Sequence, residues 1–134
     1  MLASCLCGAL TATIADDAER VTVMCHCRDC QKRSGSPFGV MAYFPENAVV
    51  LAGESRAFSR ATDSGFRYTT GFCPTCGSTL WGRSTRMPAL LGIAVGAIAD
   101  PTFPQPIRSV YEQSRHSWVT IPVTTARHPR GRES

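Results

Sequence analysis

Along the chain, apolar and polar positions alternate over short stretches and rarely recur at helical spacing. In "LCGALTATI", Leu6, Gly8, Leu10, Ala12 and Ile14 share one parity and Thr11 and Thr13 the other, which predicts a half-buried strand. "VTVM", "FGVMAYF", "AVVL", "RAFSRA", "FRYTTGF", "STLWGRS", "RSVYEQS" and "WVTI" read the same way, separated by Gly, Pro, Asp and Asn at intervals typical of all-β folds. "LLGIAVGAI" suits a buried helix or a strand; its two glycines and the nearby prolines favour the strand. "CRDCQKRSG" is the one short helix expected, with Gly35 as its C-terminal stop. "DPTFPQP" is a proline-stiffened loop. The pattern predicts a single mainly β domain over residues 1–126 and a disordered basic tail over 127–134.

The cysteines change this picture. There are seven, an odd number, so a complete disulfide framework is not expected. Their spacings are C-x-C, C-x-C-x-x-C and C-x-x-C, which are metal-ligand spacings. A reduced, metal-bearing cytoplasmic protein is expected. No apolar run approaches membrane-spanning length, and no charged segment or apolar run precedes the lipoprotein-like "LASC".

"FCPTCGS" is the most specific short motif. Pro74 fixes φ and Gly77 permits the turn that aims backbone N–H groups at the sulfurs of Cys73 and Cys76. Such a knuckle supplies two ligands and needs two more. Cys5 and Cys7, followed by Gly8, are the inferred partners, which would staple the first strand to a distant hairpin. Spacing leaves a rival open, in which Cys25, Cys27 and Cys30 borrow one of those four.

The formal charge is +4. One zinc with four thiolates and one with three would lower it to about +1. The segment "RHPRGRES" contributes +2 of the formal total, so the remaining body is nearly neutral and charge gives nucleic-acid binding no support.

"CLCGAL", "CHCRDCQKRSGSPF", "FCPTCGSTLW", "IAVGAIADP" and "SVYEQSRHSW", in this order, resemble the glutathione-dependent formaldehyde-activating enzyme family, which shares its domain with centromere protein V. The resemblance spans Ser4 to Trp118. It implies a β-tent fold of antiparallel sheets with a zinc-stapled knuckle. It also implies two zinc ions, one structural on Cys5, Cys7, Cys73 and Cys76 and one catalytic on Cys25, Cys27 and Cys30. The reaction implied is carbon–sulfur chemistry, in which formaldehyde and glutathione are joined as, or released from, S-hydroxymethylglutathione. Two positions depart from many relatives: Ser109 stands where they carry histidine, and Gln31 where they carry arginine.

Three thiolates leave one zinc position open, the mark of a catalytic site. An electron-rich three-thiolate zinc suits a soft substrate thiol better than water, which favours a carbon–sulfur lyase over a hydrolase. Arg28, Lys32 and Arg33 surround the triad and suit the carboxylates of a small thiol such as glutathione; Ser34 and Ser36 add hydroxyls and backbone donors. His26 in an extended C-H-C segment faces away from its neighbours, which suits a supporting role rather than ligation. Tyr111, Trp81 and Trp118 read as core or rim residues, as does Glu112 unless it lines the pocket. Two other readings compete: a non-catalytic zinc-binding interaction module with two structural zincs, whose triad would need His26 or His116 as a fourth ligand, and a C-x-x-C redox protein lacking the βαβ context of thioredoxin.

Overall fold

Two sheets enclose the main core in the computed structural model, which describes residues 1–134. The smaller is antiparallel, with β2 (Thr11–Ile14) between β1 (Leu2–Ser4) and β5 (Val49–Ala52). The larger has eight strands. In chain order they are β3 (Val21–Cys25), β4 (Gly39–Pro45), β6 (Arg56–Ala61), β7 (Arg67–Phe72), β8 (Thr79–Ser84), β9 (Leu90–Ala94), β10 (Arg108–Val110) and β11 (Ala126–Arg127). Across the sheet they run β11-β10-β3-β4-β9-β8-β7-β6. All pairs are antiparallel except that β10 lies parallel to β3 and to β11. The mainly β expectation holds, with these parallel pairs as an added feature.

Period-two alternation gives the large sheet two different faces. One face sends Ala42, Phe44, Leu80, Leu91 and Ile93 into a core shared with Ala3, Leu10, Ala12 and Ile14 of the smaller sheet region. Cys5 and Cys73 belong to this core. The other face carries Val21, Val23 and Cys25 on β3 and Gly39, Met41 and Tyr43 on β4, and these line a cavity. Arg108 of β10 and Arg60 of β6 line the same cavity from opposite ends of the strand order, so the sheet curls around it.

Helix α1 (Arg28–Ser34) follows the expected segment. Cys27 caps its start, its sulfur accepting from the Cys30 N–H at 3.4 Å. Gly35 ends it at φ 66°, in the left-handed region that glycine adopts without penalty.

Several local expectations are corrected. The strand predicted from Leu6 begins only at Thr11; Leu6 and Gly8 sit in a turn, and Leu6 is exposed. "LLGIAVGAI" is a strand to Ala94 and then a helical turn, α2 (Val95–Ile98). "WVTI" is not a strand. The edge beyond β10 is taken by β11, and the turn closed by the Val119 N–H on the His116 carbonyl leaves Val119 and Ile121 to pack with Met24. The segment 127–134, expected to be disordered, lies against the sheet. Its His128 N–H donates to the Ser109 carbonyl at 2.9 Å, and its Arg130 carbonyl accepts from Tyr111 N–H at 2.8 Å. The Arg127 guanidinium makes a two-pronged contact with the Glu112 carboxylate, 3.0 and 2.6 Å to Oε1, which the basic composition of the segment did not reveal.

Glycines make room for the aromatic rings of the large sheet. A Cβ at Gly82 would strike the Tyr68 hydroxyl oxygen, and one at Gly92 would lie 2.7 Å from the Tyr43 ring. The two glycines are cross-strand partners. Gly82→Ala is therefore expected to displace Tyr68 and to lower stability by about 1–3 kcal/mol, the usual cost of overpacking. Denaturant unfolding checks this; wild-type stability would refute the close approach.

Candidate metal centres

The four-cysteine cluster is built by two turns. The chain leaving β1 closes on itself through Cys5 N–H to Leu10 carbonyl (2.9 Å) and Gly8 N–H to Cys5 carbonyl (3.1 Å), with Gly8 at φ 83°. The knuckle between β7 and β8 closes through Gly77 N–H to Cys73 carbonyl (2.8 Å) and Cys73 N–H to Ser78 carbonyl (3.0 Å). Leu6 N–H donates to Ser78 Oγ at 3.1 Å and ties the turns together. All four Sγ atoms lie within 4.8 Å of one another. Cys7 Sγ is 3.7 Å from both Cys5 Sγ and Cys73 Sγ. A tetrahedral thiolate site with metal–sulfur bonds of about 2.3 Å has sulfur–sulfur edges of about 3.8 Å, so the donor set fits a metal ion.

The thiols of this cluster are prepared by local donors. Leu10 N–H, 3.2 Å from Cys5 Sγ, pulls that thiol below its ordinary range. The Ser78 hydroxyl and N–H hold Cys76 down at about 5. Ala9 N–H favours the Cys7 thiolate, yet the neighbouring Cys5 and Cys73 sulfurs push Cys7 up to about 11.

Cys25, Cys27 and Cys30 form the second cluster, their sulfurs also within 4.8 Å. Cys25 ends β3, Cys27 caps α1 and Cys30 sits in its first turns. No disulfide is present. Hydrogen bonds from the Cys25 and then the Cys30 thiol bring Cys27 down to about 2. The same bond to Cys27, with burial, drives Cys25 up. Cys30 is favoured as thiolate by Cys25, but Cys27 and burial outweigh this and push it up. Without metal the triad thus favours the thiolate at Cys27 and the thiol at Cys25 and Cys30.

The triad opens onto the cavity of about 250 Å³ on the sheet's second face. Tyr43 and Tyr68 line it and share a hydroxyl–hydroxyl hydrogen bond of 2.8 Å. Burial pushes Tyr68 up to about 12 and Tyr43 well above the phenol range, so both stay protonated at neutral pH. Arg60 also lines it, bridged to Asp29 of α1 at 3.2 Å and stacked on the Tyr68 ring.

The sequence profile of the glutathione-dependent formaldehyde-activating enzymes matches residues 1–114, through all three cysteine motifs. The chain belongs to this family. The crystal structure of a Rhodobacter sphaeroides protein is similar in fold, with a TM-score of 0.55 at 20% identity, over 78% of this chain and 91% of that one. No individually curated protein matches the chain. No helix is long and apolar enough to cross a membrane.

Of the residues expected around the triad of this family member, Arg33 lines the cavity; its guanidinium occupies the space a Cβ on Gly39 would need. Arg28 and Lys32 are exposed and do not line it. Ser34 closes the end of α1 on the Cys30 carbonyl (2.8 Å), and its oxygen accepts from Ser36 N–H, so both serine positions are engaged locally. His26 is fully buried with Nε2 2.9 Å from Ser109 Oγ, and Gln31 donates to its carbonyl; the two departures from the family pattern both pack around this histidine. Glu112 is held by Arg127 and Arg115 away from the cavity. Sequence reasoning missed Arg60, Tyr43 and Tyr68. Parity could have found Tyr43, which shares its face with Met41; nothing local marks Arg60.

The protonation pattern predicts a steep pH dependence of metal binding at the triad. Binding three thiolates requires the raised Cys25 and Cys30 thiols to release two protons, while Cys27 has none to lose. Lowering the pH restores those protons, so apparent affinity is expected to fall by about a hundredfold per pH unit near neutrality. Chelator competition at several pH values measures this slope, and a flat profile would refute the pattern.

Proposed function

We propose that the protein is a zinc-dependent carbon–sulfur lyase that forms or breaks an S-hydroxymethyl thiol adduct at the three-cysteine site. One zinc on Cys5, Cys7, Cys73 and Cys76 is structural, and a second on Cys25, Cys27 and Cys30 is catalytic. The substrates are a small thiol such as glutathione and a small aldehyde such as formaldehyde. The observation carrying this reading is that three donors converge on a cavity wall with no fourth protein donor in the cluster. His26 and His116, the candidates for a fourth, are not among the donor atoms that gather within 4.8 Å of one another at the triad. That counts against a module with two structural zincs.

Bound at the triad, zinc would hold a substrate sulfur as its thiolate beside the carbonyl carbon. The protein's own groups do the rest. Arg33, which takes part in no ion pair, is free to bind a substrate carboxylate next to Cys30. Within the Tyr43–Tyr68 pair one hydroxyl hydrogen is used between the rings, which leaves the other for an oxygen in the cavity. That oxygen is the aldehyde carbonyl in one direction and the adduct hydroxyl in the other. As the carbon–sulfur bond breaks, the hydroxyl loses its proton, the carbonyl re-forms and the thiol leaves with its electron pair and a proton. Water is limited by the apolar lining of Val21, Val23, Met41 and Val110.

Cys30→Ser is expected to keep the fold, lose one zinc and lose the aldehyde–thiol reaction. Cys73→Ser is expected to give insoluble or unfolded protein, because a structural zinc contributes on the order of ten kcal/mol, as much as a small domain's whole stability. Metal content, near-UV dichroism and the rate of adduct breakdown separate the two. A Cys30→Ser protein with full activity would end the lyase reading. Arg33→Ala is expected to weaken a carboxylate-bearing thiol by about 1.5–3 kcal/mol and leave zinc content unchanged; calorimetric titration reads this, and wild-type affinity would place recognition elsewhere.

A further inference from the structure

Residues beyond Ser114 lie outside the family match, yet Gly131 and Arg132 line the cavity that holds the triad. They are brought there by a fixed strap. Its root is β11, paired with β10 and clamped by Arg127 on Glu112. Its far end reaches the turn between β8 and β9, where Arg86 and Met87 form the facing part of the lining. The contact across is Glu133, whose Oε1 lies 2.9 Å from Arg86 Nη2 and 3.6 Å from Arg132 Nε.

Two guanidinium groups from separate elements line one cavity and share the Glu133 carboxylate just outside its lining, while Asp29 in the lining pairs with Arg60 and Asp63 pairs with neither of the two. Each also touches a neighbour other than Glu133. Arg86 lies 6.0 Å above the Phe66 ring, and Arg132 Nη1 is 3.9 Å from the Met87 sulfur. Glu133 itself is 76% exposed, and an exposed ion pair is readily exchanged for another. The chain's own carboxylate therefore occupies the place of an external one.

We propose that Arg86 and Arg132 form a carboxylate-binding subsite at the mouth of the cavity, filled by Glu133 at rest and by the carboxylate of an anionic thiol or thiol adduct in use. The subsite selects anionic over neutral ligands for the triad, and Glu133 sets the threshold by competing. It rests on the lyase reading for the sulfur end of its ligand; the anion end can be read alone.

Iodoacetate and iodoacetamide have nearly the same shape and differ in charge. Either alkylates a thiolate by forming a carbon–sulfur bond and expelling iodide. With the purified protein, the rate ratio of the two reagents at the triad, located by mass spectrometry, measures the subsite. Free cysteine run under the same conditions gives the intrinsic ratio of the two reagents. Replacing both arginines by alanine is expected to lower the iodoacetate-to-iodoacetamide ratio about threefold to tenfold, and Glu133→Gln to raise it about threefold, the range of exposed ion pairs. If the double variant does not fold, Arg132→Ala, about half exposed, carries the same reading. An unchanged ratio in the arginine variant or in Glu133→Gln overturns the proposal. Turnover of an S-hydroxymethyl adduct by the same proteins keeps the two readings apart. A charge-dependent ratio without turnover removes the lyase and leaves the subsite; turnover with an indifferent ratio does the reverse.

Discussion

Four sulfur atoms from two turns meet at the edge of the main core, and the rest of the architecture is hung from that meeting. Cys7 and Cys73, 66 residues apart, approach to 3.7 Å. Cys5 and Cys73 are also core residues, so the cluster joins the small sheet to the β7–β8 hairpin at the point where both bury their apolar faces. Four thiols so close cannot all ionise without a cation, and they make poor packing partners if none does. A metal ion would resolve that conflict. It is also the arrangement by which a small β domain adds to a limited core.

The large sheet then separates two tasks by parity, interrupted only at the β7–β8 bulge, where Leu80 and Trp81 both pack on the core. Phe44 and Tyr43 are neighbours in sequence; the first is wholly buried in the core and the second lines the cavity. Cys25 shares the cavity face with Val23 and Met41, while Met24 packs with Val119 and Ile121 on the opposite side. Glycine enables the crowded half of this arrangement. Gly39, Gly82 and Gly92 lie under Arg33, Tyr68 and Tyr43, and a methyl group at any of them would strike the side chain above. The backbone is thinned where the cavity's polar groups must lie close to the sheet.

What could be read from the sequence was local. The cysteine motifs, α1 with its Cys27 start and Gly35 stop, and the core parity of β2, β4 and β9 all depend on residues a few positions apart. The grouping of the sulfurs into four and three matches the division that the family resemblance implied. What escaped depended on distant registers. Arg60 reaches the triad only because β6 lies across the curled sheet, and Asp29, its partner, belongs to α1. Val119 and Ile121 have strand-like character, but β10 already has neighbours on both sides, β3 and β11, so they plug a second small cluster. The segment after Ala126 looked like a solvated basic tail because its composition carries no sign of Glu112, the shielded carboxylate that holds it.

The two sulfur clusters use one ligand chemistry and differ in who supplies their hydrogen bonds. In the four-cysteine cluster the donors are backbone and hydroxyl groups of the turns themselves: Leu10 to Cys5, Thr75 to Cys73 and Ser78 to Cys76. Such donors stabilise thiolate whatever else is bound, and they lock the turns to the sulfurs. In the triad the hydrogen-bond donor to Cys27 is the Cys30 N–H at 3.4 Å, and the other two sulfurs lie within 4.8 Å of the Cys27 sulfur. The triad also faces arginines, tyrosine hydroxyls and open space. The first cluster is thus fastened by donors built into its two turns, whereas the triad has one backbone donor and a cavity beside it.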